Sequence, residues 1–295
     1  MYNTSATSPT SLMTRLRRII IGGARDPHDP DMVHKMSLIA FFAWVGLGSD
    51  GLSSSCYGPS EVFLILTQYP YLSLLVALAS ALTVIIISMS YGQVIDLFPS
   101  GGGGYLVASR LLSPQLGMIS GCALIIDYVL TIALSVASGA DAVFRFLPAE
   151  YLHWKLYVTI IGVIFLTALN MRGVKESVIP LIPIFMIFIA AHLFAILYVS
   201  FSHIGEIGSV AHNTVSDIHG ATSKFGVFGM IILMMRAYSM GAGTYTGIEA
   251  VSNGLPILRE PREKTGKRTM VYMAASLVVA VLGLMFCYVL CDVHF

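Results

Sequence analysis

Charged residues are scarce in this sequence, at 11% of 295 residues, whereas a soluble domain carries about 25%. Polar stretches are also few, because 56% of the residues are hydrophobic and the mean hydropathy is +0.79. A soluble core could not hide this much apolar surface, so the composition predicts an integral membrane protein in contact with a lipid bilayer. The net charge of +1 gives no basis for a nucleic-acid partner.

Motifs for chemistry are also lacking. The four cysteines lie in apolar segments, at positions 56, 122, 287 and 291, with no histidine or carboxylate spaced to complete a metal site. No phosphate-binding P-loop or nucleophile elbow occurs, so neither ATP-driven transport nor hydrolysis is predicted. We expect no enzyme activity, no cofactor and no bound metal other than a transported cation.

Apolar runs long enough to cross a bilayer recur seven times. A crossing helix needs about 20 apolar residues. The predicted spans, numbered one to seven, lie near 37–66, 71–98, 114–147, 155–171, 177–200, 225–257 and 269–293. The sequence therefore predicts an all-α membrane protein, with an N-terminal segment at 1–35 and a transmembrane domain at 36–295.

The basic residues predict the orientation of these spans. With the N-terminus in the cytoplasm, thirteen of the 17 lysines and arginines fall on the cytoplasmic side. The positive-inside rule favours that arrangement in a plasma or bacterial inner membrane, with 201–224 as an outer loop. A seven-helix receptor or sensor would need the opposite orientation, so it is a distant alternative.

Span one is interrupted by "GLGSDGLSSSCYG", 46–58. Gly48, Gly51 and Gly58 weaken the helix there, and Asp50 puts a carboxylate at the predicted break. The residues before it form about 18 Å of helix, at 1.5 Å per residue, which reaches roughly the middle of the bilayer. Irregular backbone is tolerated at that depth only where it is buried in protein or lines a cavity.

Span six repeats the pattern with "SMGAGTYTGIEAVSNG", 239–254, in which Gly241 and Gly243 are the predicted break residues. Discontinuous helices at matching positions of two repeats are typical of secondary transporters, where freed backbone groups bind substrate and ions. Two such interruptions, five spans apart, therefore predict a transport site.

Two further stretches carry a family resemblance. "SYGQVIDLFPSGGGGYLVASRLLSPQLGMISG", 90–121, and "TYTGIEAVSNGLPILREPREKTGKR", 244–268, resemble the amino acid–polyamine–cation (APC) superfamily of transporters. The resemblance implies the LeuT fold, an inverted repeat of five plus five helices, and leaves a homodimer open. This chain ends after span seven, so we expect a shortened form that lacks three helices of the second repeat.

Oxygen-bearing side chains inside the spans indicate the kind of substrate. Asp50 and Tyr57 flank the span-one interruption, and span three carries Asp127, Tyr128 and Thr131. Asp127 and Thr131 are four residues apart and share a helix face. A dehydrated alkali cation needs such a shell of oxygens, whereas a substrate carboxylate would be repelled by Asp50.

The same residues resemble those of KimA-type and KUP-type potassium–proton symporters. That resemblance implies that potassium is coordinated by side-chain oxygens of Asp50, Tyr57, Asp127 and Tyr128, with Thr131, Thr244 and Thr246 nearby. "GSDG" is also similar to the Gly-Ser-Gly break of many amino acid permeases. A proton- or sodium-coupled amino acid or amine permease therefore stays open as the alternative.

Two glutamates follow the interruptions. Glu61 follows the break of span one and Glu249 the break of span six. Each is a candidate proton carrier for coupled transport. Each could equally stabilise the N-terminal end of the helix that resumes there, where negative charge is favoured.

Overall fold

The computed structural model describes residues 37–171 and 173–293. In that part of the chain the regular elements are helices, apart from one bridge between two extended residues. The predicted N-terminal segment, 1–35, lies outside the described residues. The span helices are Ala40–Ser54 and Gly58–Ile65, Ser73–Leu97, Pro114–Phe144, Lys155–Met171, Val174–Ser202, Ile207–Met240 with Ala250–Asn253, and Arg262–Leu290.

Short helical segments connect them. They are the 3₁₀ turns Pro70–Leu72, Ala149–Trp154, Ile204–Glu206, Gly241–Tyr245 and Leu255–Ile257, the helix Gly103–Val107 and the π-helical turn Ala108–Leu112. Six helices of the described residues are long and apolar enough to cross a membrane. Span one is not among them, because its two helices have 15 and 8 residues, short of the roughly 20 that a crossing takes.

The structure corrects the prediction of an outer loop at 201–224. This segment is helical, as a 3₁₀ turn, Ile204–Glu206, followed by the start of the helix Ile207–Met240. That helix is interrupted at Gly226, whose φ of 72° and ψ of 168° are not helical. The interruption falls where span six was predicted to begin, so a polar helix, which we call the connecting helix, precedes the span itself.

Polar contacts position the connecting helix, although its composition suggests a loop. The backbone N–H of Tyr71 donates to Asp217 Oδ2 at 2.9 Å, and Lys224 Nζ donates to Gln68 Oε1 at 2.8 Å. Both partners lie on the connection between spans one and two. The polar side chains of the connecting helix therefore hold it against that connection.

The core forms around the two interrupted spans. One buried cluster joins spans one, six and seven through residues such as Leu52, Ile248 and Met273. A second joins the later part of span one to spans two and seven, with Phe63 and Met285 among its members. The most apolar stretches of spans two and seven are each 44% buried, against 6%, 0% and 6% for spans three, four and five. Spans two and seven therefore brace the interrupted helices.

Backbone pairing also ties the two interrupted spans together at one end. The N–H of Leu38 donates to the carbonyl of Ile257 at 2.9 Å, and the N–H of Arg259 donates to the carbonyl of Leu38 at 2.8 Å. This bridge fixes the start of span one to the residues that follow the span-six break. The two breaks are thus held in register with each other.

Candidate functional site

Span one is interrupted for three residues after Ser54. Serine hydroxyls complete the backbone hydrogen bonding next to this break. The hydroxyl of Ser53 donates to the carbonyl of Asp50 at 2.8 Å, and that of Ser55 to the carbonyl of Leu52 at 2.6 Å. The backbone N–H groups of Ser55, Cys56 and Tyr57 also donate to the carbonyls of Leu52, Ser53 and Ser54. Hydrocarbon offers no partner for a bare carbonyl, so these turn bonds and the serine hydroxyls together make a break inside the membrane tolerable.

The break therefore lies at the C-terminal end of the predicted stretch 46–58, directly before Gly58. Gly48 and Gly51 sit inside the continuous helix Ala40–Ser54, and Asp50 is helical with them. A glycine weakens a helix by only about 1 kcal/mol, which is less than the cost of leaving backbone groups unpaired in an apolar environment. Gly51 does not break the helix but lets the span-six backbone approach closely, because a Cβ there would lie 3.0 Å from the carbonyl oxygen of Thr246.

In span six the long helix gives way to the 3₁₀ turn Gly241–Tyr245, after which Thr246 is extended, with φ −66° and ψ 155°. The hydroxyls of Thr244 and Thr246 donate to the carbonyls of Gly241 and Gly243, both at 2.8 Å. Both predicted threonines thus stabilise the turn that interrupts span six, and both predicted glycines lie within it.

The two breaks pack directly against each other. A Cβ on Gly58 would overlap the side chain of Thr244, and a Cβ on Gly243 would lie 3.3 Å from the ring of Tyr57. The phenol of Tyr57 donates to the hydroxyl of Ser54 at 2.9 Å. Glycine at these positions lets the backbones and hydroxyls of both breaks come together in one region.

The carboxylate of Asp50 faces the span-six break. It lies against Gly247, where a Cβ would be 2.8 Å from Asp50 Oδ2. Gly247 also has φ +83°, in the left-handed region that glycine alone adopts without strain. Sequence reasoning missed Gly247, although a glycine two residues before Glu249 in an interrupted span was a usable signal.

Carboxylates from three spans gather here. Asp50 in span one, Asp127 in span three and Glu249 in span six interact electrostatically with one another, and all three side chains are half-buried. Among the described residues, no lysine or arginine forms an ion pair with any of them. The region therefore concentrates negative charge, which attracts cations. We call these three residues the carboxylate cluster.

Tyr128 joins span three to span six, because its hydroxyl accepts a hydrogen bond from Asn253 Nδ2 at 2.9 Å. Several buried oxygens lack a hydrogen-bond partner in the part of the chain that the structure describes: Glu249 Oε1, Ser252 Oγ, Asn253 Oδ1 and Ser135 Oγ. Buried polar atoms are rarely left in this state, so these oxygens are available to a cation or to water.

Span three presents more oxygens than the sequence reasoning selected. Asp127, Thr131 and Ser135 follow one another at four-residue spacing in the helix Pro114–Phe144, so they share a face. Ser135 was missed although that spacing would have found it. Glu61, the other predicted acid, lies in the first turn of the second helix of span one, where the helix dipole favours a negative charge.

This arrangement defines the class of protein: an all-helical integral membrane protein of the APC type, in which spans one and six are interrupted and meet at their breaks. The chain belongs to the amino acid permease family, whose sequence profile matches residues 38–292.

Two relatives indicate the range of this family. The chain is 30% identical over 276 residues to the potassium transporter KimA of Bacillus subtilis (strain 168), which covers 91% of this chain and 44% of that protein. It is 25% identical over 179 residues to the low-affinity putrescine importer PlaP of Escherichia coli (strain K12), covering 58% of this chain and 36% of that protein. The chain thus spans less than half the length of these relatives.

Proposed function

We propose that this protein is a secondary active transporter that takes up potassium together with protons. The observation that supports this most is the carboxylate cluster, whose Asp50 lies against the span-six break and which has no basic ion-pair partner among the described residues. The likeness to a potassium transporter supports the same substrate. We place the N-terminus in the cytoplasm, on the distribution of basic residues.

In this proposal oxygens from both breaks and from span three replace the hydration shell of the cation. Asp50 and Asp127 supply charge, while Tyr57, Tyr128 and Thr131 supply neutral oxygens. The remaining ligands are Thr244 and Thr246, whose hydroxyls donate their protons to break carbonyls. A hydroxyl that donates in this way keeps its lone pairs for a cation.

The proposed coupling to protons rests on Glu249. Departure of a cation would leave three mutually repelling carboxylates in a partly desolvated region, and a proton on one of them would relieve that repulsion. Glu249 Oε1 is buried without a hydrogen-bond partner among the described residues. No donor from these residues therefore occupies the position where a proton would bind. A bound cation and a bound proton would therefore be two alternative ways of offsetting the negative charge of the carboxylate cluster.

An amine substrate is the second candidate, because the carboxylate cluster would also attract an organic cation. Putrescine carries positive charge at neutral pH, and the chain is similar to a putrescine importer. A zwitterionic amino acid fits less well, because its own carboxylate would meet the cluster, with which no lysine or arginine of the described residues forms an ion pair.

Uptake by cells that lack their own potassium systems and express this chain would test the substrate. We expect uptake of rubidium, a potassium analogue, that excess potassium suppresses and that an inward proton gradient accelerates. Labelled putrescine and a panel of amino acids should show no uptake above that of cells with an empty vector. Putrescine uptake that potassium does not inhibit would overturn the potassium proposal in favour of the amine.

Glu249→Gln should uncouple uptake from the proton gradient. We expect the wild type to take up rubidium several-fold faster at external pH 6 than at pH 8, and the variant to differ less than about twofold, because glutamine cannot exchange a proton. Glu61→Gln is the matched control and should keep the wild-type pH response. If uptake by Glu61→Gln did not depend on pH while uptake by Glu249→Gln kept the wild-type dependence, the coupling proton would be assigned to Glu61 instead.

A further inference from the structure

A groove runs between spans two and seven, away from the two breaks. Its volume is about 460 Å³, and its walls include Ile85, Met89 and Gly92 from span two and Val271, Ala274 and Val278 from span seven. Ile85, Met89 and Val271 are 43%, 66% and 63% exposed, so the groove opens onto the outer surface of the helices. Within the part of the chain that the structure describes, this apolar groove is uncovered.

The groove has a basic end. Lys264, Lys267 and Arg268 are exposed in the first turns of the helix Arg262–Leu290 and share a face with the groove residue Val271, by their spacing of three and four residues. Lys267 Nζ lies 2.5 Å from Asp96 Oδ2 on span two. Among the described residues, no acid lies within ion-pair distance of Lys264 or Arg268.

The length of the groove matches one leaflet. From Lys267 to Val278 the helix rises about 16 Å, at 1.5 Å per residue. Half of a hydrocarbon core about 30 Å thick is about 15 Å. A chain lying in the groove would therefore reach from the membrane surface at Lys267 to about the middle of the bilayer.

We infer that this groove binds an anionic phospholipid, with one acyl chain between spans two and seven and the phosphate beside Lys264 and Arg268. Basic residues at the surface end and an apolar channel one leaflet deep match the two parts of such a lipid. Clusters of basic residues next to membrane spans attract anionic head groups. A zwitterionic lipid would bring a phosphate together with its own positive charge, and so no net charge to offset the two cations, and an apolar protein helix would bring no phosphate at all.

Gly92 allows a clean test, because a side chain there would project into the groove. A Cβ at Gly92 would meet no atom within 4 Å, so a side chain has room to leave the helix there, and we expect leucine to extend into the space of the acyl chain. Gly139, in span three, also has nothing within 4 Å of such a Cβ. Gly139→Leu is thus a matched control on a surface outside the groove.

The measurement is native mass spectrometry of the purified chain, titrated with phosphatidylglycerol or phosphatidylcholine. For the first lipid retained, we expect phosphatidylglycerol to bind at least tenfold more tightly than phosphatidylcholine. Gly92→Leu should weaken phosphatidylglycerol binding at least tenfold, and Gly139→Leu should not change it. Replacing both Lys264 and Arg268 by glutamine should abolish the preference for phosphatidylglycerol. Ala275→Leu, at an exposed position on the opposite wall, provides a second block of the groove if Gly92→Leu fails to fold.

Equal binding of the two lipids by the wild type would overturn the inference. So would unchanged phosphatidylglycerol binding in both blocked variants, which would put the lipid elsewhere. Loss of a dimer in Gly92→Leu, without loss of lipid, would show that a second copy of the chain fills the groove instead.

Discussion

Asp50→Asn should weaken potassium binding about 100-fold, measured by calorimetric titration of the purified chain. Two opposite charges about 4 Å apart interact by roughly 4 kcal/mol at an effective dielectric constant near 20. Asparagine keeps an oxygen at the site but removes this attraction, and a loss of about 2.7 kcal/mol corresponds to a 100-fold change in affinity. The expected effect is large because Asp50 has no basic ion-pair partner among the described residues.

Two variants control this prediction. Asp141→Asn removes a carboxylate of span three that pairs with Lys155, outside the carboxylate cluster, and should leave potassium affinity unchanged. Asp50→Glu keeps the charge but displaces it by one methylene, so we expect a smaller loss of affinity and an altered selectivity among alkali cations. Wild-type potassium affinity in Asp50→Asn would show that this carboxylate is not a ligand.

Gly247→Ala should impair both stability and potassium binding. Alanine at φ +83° adopts a left-handed conformation that costs about 1–2 kcal/mol, and its Cβ would lie 2.8 Å from Asp50 Oδ2. The Asp50 carboxylate must then move away from the span-six break. We expect a lower melting temperature and at least tenfold weaker potassium binding in the same preparation.

Gly162→Ala is the matched control for this substitution. Gly162 lies in the helix of span four, where an added Cβ would meet nothing within 4 Å. Alanine there should leave potassium binding unchanged and leave the melting temperature equal or slightly higher, because alanine favours the helix. If Gly247→Ala had the melting temperature and the potassium affinity of the wild type, the close approach of Asp50 to the span-six break would not matter for stability or for potassium binding.

Local signals in the sequence were sufficient for the class of protein and for the pairing of two interrupted spans. Glycine and hydroxyl residues within an apolar run disturb a helix wherever it packs, so Gly241 and Gly243 indicated the span-six break without any knowledge of the fold. Acids within spans are costly enough to be informative on their own, which is why Asp50, Asp127 and Glu249 stood out.

What the sequence could not supply depends on contacts between distant residues. The span-one helix continues through Gly48 and Gly51, and the role of Gly51 is visible only in the fold, where an added Cβ would lie 3.0 Å from the carbonyl oxygen of Thr246 in span six. The bond between Tyr128 and Asn253 joins residues 125 apart in the chain. The connecting helix before span six was not predicted for the same reason, since its polar partners lie between spans one and two.

The central claim is that a cation binds where the two breaks meet. Anomalous diffraction from crystals of the chain soaked in rubidium tests it most directly, because the map locates the ion without assuming its ligands. The account predicts a peak in contact with carboxylate oxygens of Asp50 and Asp127, beside the span-six break, and its loss in crystals of Asp50→Asn. A peak away from these residues, or none in the wild type under conditions where rubidium binding is measured in solution, would contradict it.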